Sequence, residues 1–215
     1  KRFGIFMLIL SGIIIAIFYN ILKPEEILPI YQPADINFEL VDEDLQQKRK
    51  YHTIADFKLY NQEGKAITQE DYSDKIYVAD FFFTTCQTIC PIMTKNMAVV
   101  QEEFLSDDEV MLLSHTVTPE IDDVSQLKKY ADEKGVNVEK WNLVTGDKAQ
   151  IYDLARKSYL VAKEDPNSQD YGLIHTENFV LVDKERRIRG IYDGTDPLDI
   201  ERLLDDVEVL KKEYN

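Results

Sequence analysis

The stretch Ile76-Tyr77-Val78-Ala79-Asp80-Phe81-Phe82-Phe83 is apolar at every position except Asp80. A strand of that kind cannot leave one face in water, so it must lie centrally in a sheet with other layers on both sides. The segments around it alternate between strand-like and helix-like patterns, as a parallel or mixed sheet covered by helices requires. Upstream, residues 54–60 predict a strand with a turn at Gly64. Downstream, Pro91 suits the first position of a helix in which Met93, Met97, Val100 and Phe104 recur at helical spacing, to about Leu105. Strands are expected over residues 110–117 and 141–145. Helices are expected over residues 122–134, stopped by Gly135, and over 147–159, capped by Asp147. Residues 163–172 read as a polar loop. Two strands, 179–182 and 188–192, pair across 183–187, and a final helix from Pro197 carries Ile200, Leu203, Leu204, Val207 and Leu210 as one stripe.

The chain has 215 residues, 44% of them hydrophobic, enough for one or at most two domains with a sizeable core. Residues 3–22 hold no charged side chain, and at about 1.5 Å per residue they span about 30 Å, one hydrocarbon core. A cleaved signal peptide would have a shorter apolar run followed by small residues, so residues 1–22 read as an uncleaved transmembrane anchor. Lys1 and Arg2 precede the run and Glu25 and Glu26 follow it. The positive-inside bias then places the N-terminus in the cytoplasm, the anchor as a single pass in the cytoplasmic (inner) membrane, and the body outside the cytoplasm. Residues 23–50, with Pro24, Pro29 and Pro33, predict a stem or linker, and residues 51–215 the folded domain. Outside the anchor, 23 basic residues face 40 acidic ones, a charge of −17 that excludes a nucleic-acid partner. Two cysteines exclude a disulfide-built scaffold.

Both cysteines follow the central strand directly, in Thr84-Thr85-Cys86-Gln87-Thr88-Ile89-Cys90-Pro91. Unpaired N–H groups at a helix start favour negative charge, so a thiol there becomes a nucleophile or a metal ligand at neutral pH. One helical turn separates the two, a spacing open both to a reversible disulfide and to chelation of one metal. A third ligand must be an imidazole or another soft group. Of His52, His115 and His175, the last stands at a strand edge, whereas His115 lies inside a predicted strand and His52 at the stem junction, where packing is the expectation. Met93 and Met97 follow the core face of their helix and read as packing residues. Two thiolates and one imidazole form a soft set suited to copper. Zinc stays open if Glu177 or Asp80 adds a fourth ligand.

These residues resemble the Sco/SenC family, whose motif is an aromatic residue followed by Thr-x-Cys-x-x-x-Cys-Pro. The resemblance covers about residues 54–214 and extends to His175-Thr176, to Val117-Thr118-Pro119-Glu120 with Asp122, to Trp141-Asn142-Leu143-Val144-Thr145-Gly146, and to the helix after Asp193-Gly194. It implies a thioredoxin-like fold, with Cys86, Cys90 and His175 as ligands of Cu(I) or Cu(II). It also implies a role in supplying copper to the copper-bearing subunit of cytochrome c oxidase, with other copper chaperones or thiol–disulfide reductases as further partners. Three departures stand out. Gln87-Thr88 replaces the family's Pro-Asp, which removes a negative charge and should ease thiolate formation. Ile174 replaces an Asp that would orient the histidine, and the sequence leaves open whether Glu177 takes that role. The turn 183–187 lacks the family's glycine.

Two function classes follow: a copper delivery protein, and a thiol–disulfide oxidoreductase in which Cys86 and Cys90 are catalytic and keep the acceptor's cysteines reduced. The Cys-x-x-x-Cys spacing and the available histidine favour the first. A peroxide reductase using one cysteine to attack and the other to resolve is a third reading, for which nothing else in the motif asks.

Overall fold

The computed structural model describes residues 27–36, 50–164, 173–175 and 177–214, together with residues 7, 10–15, 18, 45 and 47. The side chains of residues 163, 164 and 173–175 lie outside that description. The central strand is β3 (Ile76–Phe82), buried at all 7 positions. It pairs in parallel with β4 (Val110–Thr116), which pairs in parallel with β5 (Trp141–Thr145). On the other side β3 meets β8 (Asn178–Val182) antiparallel, and β8 meets β9 (Ile188–Asp193). A hairpin of β1 (Lys58–Asn61) and β2 (Ala66–Thr68) joins β5 antiparallel and completes a seven-stranded mixed sheet of order β2-β1-β5-β4-β3-β8-β9.

Alternation along β3 sends Ile76, Val78 and Phe82 into one core layer and Tyr77, Ala79 and Phe81 into the other. The first layer lies beneath α1 (Cys90–Glu103), α2 (Val124–Lys134) and α4 (Pro197–Glu213). The second holds α3 (Lys148–Asp153) and the π-helical turn Leu154–Ser158 that continues it. The architecture is thus the α/β mixed sheet flanked by helices that the pattern predicts, and the thioredoxin-like fold that the resemblance implies. Gly135 ends α2 with a left-handed φ of 72°, and Asp147 and Asp196 cap α3 and α4.

Four segments differ from the sequence reading. The strand expected over residues 54–60 begins only at Lys58, as β1. Helix α2 starts at Val124, not Asp122, because Asp123 is its cap and Asp122 is spent on the hydroxyls of Thr84, Thr116 and Thr118. Part of the expected loop is a strand, β6 (Ala162–Glu164), paired with β7 (Leu173–His175); residues 165–172 lie outside the described ones. The expected linker is also partly docked. Leu28, Gln32 and Ile36 are each no more than 9% exposed, and Tyr31 N–H donates to the Ile188 carbonyl of β9 at 2.9 Å. Of the expected anchor, Met7, Leu10, residues 11–15 and Phe18 are helical and exposed. Among the described residues no helix is long and apolar enough to cross a membrane.

Candidate dithiol metal centre

The sheet delivers Cys86 at the C-terminal end of β3, and the turn that carries it closes with Cys86 N–H on the Phe83 carbonyl at 3.2 Å. Cys90 opens α1, with Pro91 just inside the helix. Both thiols are free, Cys86 partly exposed and Cys90 1% exposed. The Cys90 backbone N–H donates to Cys86 Sγ at 3.4 Å, one of the helix-start donors that have no intrahelical acceptor.

The two sulfurs are thereby made unequal. Burial alone would raise the Cys86 thiol. Hydrogen bonds from the Cys90 thiol, the Cys90 N–H and Thr88 outweigh it and lower Cys86 from 9.0 to about 7. Thr88 Oγ1 lies 3.6 Å from Cys86 Sγ, so the threonine that stands in place of an acid supports the sulfur instead of repelling its charge. Cys90 goes the other way. Burial, the bond to Cys86 and the charges of Cys86 and Asp80 push it up from 9.0 to about 12. Cys86 is therefore the thiolate in reach of a partner, and Cys90 is a held thiol beneath it.

Two residues named from the sequence take supporting roles that the sequence did not assign them. Asp122, fully buried, accepts from the Thr84 N–H at 3.1 Å, from the Thr118 hydroxyl at 3.0 Å, and from the hydroxyls of Thr84 and Thr116. It ties the loop before Cys86 to the end of β4. The clustering of hydroxyls at Thr84, Thr116 and Thr118 is a signal only once β3 and β4 are known to end side by side. Asp80, weighed as a fourth ligand, accepts from Ser114, which in turn accepts from Trp141 Nε1 at 2.8 Å. Burial raises Asp80 from 3.8 to about 7, against the Ser114 bond.

The remaining candidates separate cleanly. Met93 and Met97 are fully buried in the core layer under α1. His115 is fully buried, stacked on Phe81 at 4.7 Å, and burial lowers it to about 3. His52 is 4% exposed with Nε2 2.7 Å from the Ser158 carbonyl. Both are packed, as expected. The backbone of His175 ends β7, opposite Ala162 and three residues before β8, while its side chain lies outside the described residues. Glu177 is exposed. Among the described residues no three His, Cys, Asp or Glu side chains form a metal-sized cluster. What the described geometry offers is a pair of soft donors with one lowered thiol, which suits a thiophilic cargo or thiol exchange.

Residues 45–212 match the SCO1/SenC family. A SCO1 protein homolog of Bacillus subtilis (strain 168) is 31% identical over 159 residues, covering 73% of this chain and 82% of that protein. The structure of BsSco superposes with a TM-score of 0.63 at 31% identity, over 74% of this chain and 93% of that one. BsSco is described as a member of the Sco family of cytochrome c oxidase assembly proteins in which a disulfide switch was identified. Arabidopsis thaliana ScoI, solved with copper bound, superposes with a TM-score of 0.59 at 25% identity, over 74% of this chain and 98% of that one.

Proposed function

The chain belongs to the SCO1/SenC family, and from that premise we propose that it is a membrane-anchored copper chaperone. In this reading residues 1–22 cross the cytoplasmic membrane and the domain stands on its extracytoplasmic side. Cys86, Cys90 and His175 hold Cu(I) or Cu(II), and the cargo is delivered to the copper-bearing subunit of cytochrome c oxidase for assembly of its CuA site. The observation that carries the reading is the pair of free thiols across the first turn of α1, one lowered to about 7 and partly exposed. Copper supplies the affinity for thiolate that displaces the Cys90 proton, so loading releases protons and strengthens as pH rises. Copper bound by A. thaliana ScoI and the assembly role of BsSco support the assignment. The exposed apolar side chains Met7, Leu10, Ile13, Ile14 and Ile15 support the anchor.

The test is copper content and thiolate-to-copper absorption of the reduced, detergent-solubilised chain. One copper per chain is expected, lost in Cys86→Ser and Cys90→Ser and spectrally altered in His175→Ala. A reduced chain that retains no copper overturns the reading.

The unequal thiols also favour a second reading, a reductase that keeps the oxidase's copper-ligand cysteines reduced. There the Cys86 thiolate attacks a partner disulfide and Cys90 then resolves the mixed disulfide, leaving a Cys86–Cys90 bond and two partner thiols. His175→Ala separates the two readings, since it weakens copper retention and leaves thiol exchange at its normal rate.

A further inference from the structure

Residues 27–36 form a strap at one pole of the sheet. The Leu28 N–H donates to Glu213 Oε1 at 2.8 Å, Arg189 Nη2 donates to the Leu28 carbonyl at 2.8 Å, and Arg189 Nε donates to the Pro29 carbonyl at 3.1 Å. Arg189 is 2% exposed and is itself held by Asp183 at 3.1 Å and Glu213 at 2.6 Å. The Leu28 side chain enters the core layer with Leu203, Val207 and Leu210. Register locates this pole: Tyr31 faces Ile188, Ile188 faces Val182, and Val182 faces Tyr77 near the start of β3. Cys86 lies past the other end of β3, so the strap and the thiol are separated by the 7-residue strand, about 20 Å at 3.3 Å per residue.

Docking at Leu28 shortens the tether. A free stem of residues 23–50 would reach about 95 Å when extended and would allow the domain any orientation. From Leu22 to Leu28 the chain spans at most about 20 Å, and its average flexible reach is nearer 13 Å. An inverted domain, with Cys86 towards the lipid, would lift Leu28 about 20 Å, which stretches the tether fully and exceeds its average flexible reach of about 13 Å.

We propose that the strap pole is the membrane-facing surface, that the dithiol is presented on the far side of the domain, and that its partner is therefore an extramembrane domain whose acceptor site stands clear of the lipid. This rests on the anchor reading of residues 1–22.

The test reconstitutes the full chain in vesicles of phosphatidylcholine and phosphatidylglycerol that carry headgroup energy acceptors. One chain carries a donor on Cys86 in a Cys90→Ser background. A second carries it at the strap pole, on exposed Asp108→Cys with Cys86→Ser and Cys90→Ser. Strong transfer from position 108 and weak transfer from Cys86 are expected. Inserting about 20 Gly and Ser residues before Glu26, which raises the average flexible reach from about 13 Å to about 28 Å, should raise transfer from Cys86 severalfold. Equal transfer from the two positions at native tether length overturns the orientation. Loss of transfer from both, with the chain failing to float with the vesicles, overturns the anchor and the orientation with it.

Discussion

The reactivity of this chain turns on which atoms face a single sulfur. Cys86 is lowered to about 7 although burial opposes it, because the Cys90 thiol and N–H and Thr88 all favour its charged form. Alkylation of Cys86 in Cys90→Ser should therefore rise with pH through the neutral range, with the remaining donors shaping the midpoint. Thr88→Asp should move that midpoint up by about one unit, since a like charge disfavours the thiolate; an unmoved midpoint would show that Thr88 does not act on the sulfur. Asp80 makes the opposite contribution. Its folded value, about 7, lies above its ordinary 3.8, so the fold prefers it protonated. Stability from this group is fully present below about pH 4, falls as pH rises, and is lost by about pH 7. Asp80→Asn should thus stabilise the domain at pH 8 by up to about 4 kcal/mol and hardly at all at pH 4. Urea unfolding of both chains at the two pH values measures this, and an equal gain at both would refute the assignment. The cysteines were legible from spacing alone, whereas their inequality was not, because it depends on how deeply the fold buries Cys90 and on the Cys90 thiol and N–H facing Cys86.

Secondary structure was legible wherever apolar periodicity or a cap signalled it: β3, α1 with Pro91, Gly135 after α2, and the stripe of α4. Asp122 was not, because two adjacent aspartates both suit a helix start and only the threonines brought in from β3 and β4 decide between them. Asp122→Ala strips several buried or half-buried donors of one acceptor, so it should cost about 3 kcal/mol and loosen the loop before Cys86. A fall in melting temperature with weaker copper retention is expected. The turn 183–187 shows the reverse case, where an absence in the sequence has a measurable consequence. Arg186 occupies a left-handed φ of 64°, the conformation that the missing glycine would adopt without strain. Asp183 holds the turn by accepting from the N–H groups of Glu185 and Arg187. The Arg186–Asp56 pair is exposed and contributes little. Arg186→Gly should therefore raise stability by about 0.5–1 kcal/mol in equilibrium unfolding.

At the scale of the whole molecule, what the sequence hid was the attachment of its own stem. Leu28 and Pro29 meet partners 185, 161 and 160 residues away, and prolines in a charged stretch read as linker until those partners are known. Arg189 is the hinge of that attachment, since it holds two strap carbonyls while neutralising Asp183 and Glu213. Arg189→Leu would leave the Asp183 carboxylate buried without this partner and the strap carbonyls without donors, at a cost of about 3–5 kcal/mol. Arg187 also bonds Asp183, at 2.7 Å, and limits the loss to the strap side of the network. The expected signature is local: faster hydrogen exchange at the Leu28 and Tyr31 amides, with the amides of β3 still protected. Arg189→Lys should recover only part of the protection, because one ammonium cannot reproduce the fork that reaches Leu28, Pro29, Asp183 and Glu213 together. Full protection of Leu28 in Arg189→Leu would mean that the Leu28 side chain in the core, not the guanidinium, holds the strap.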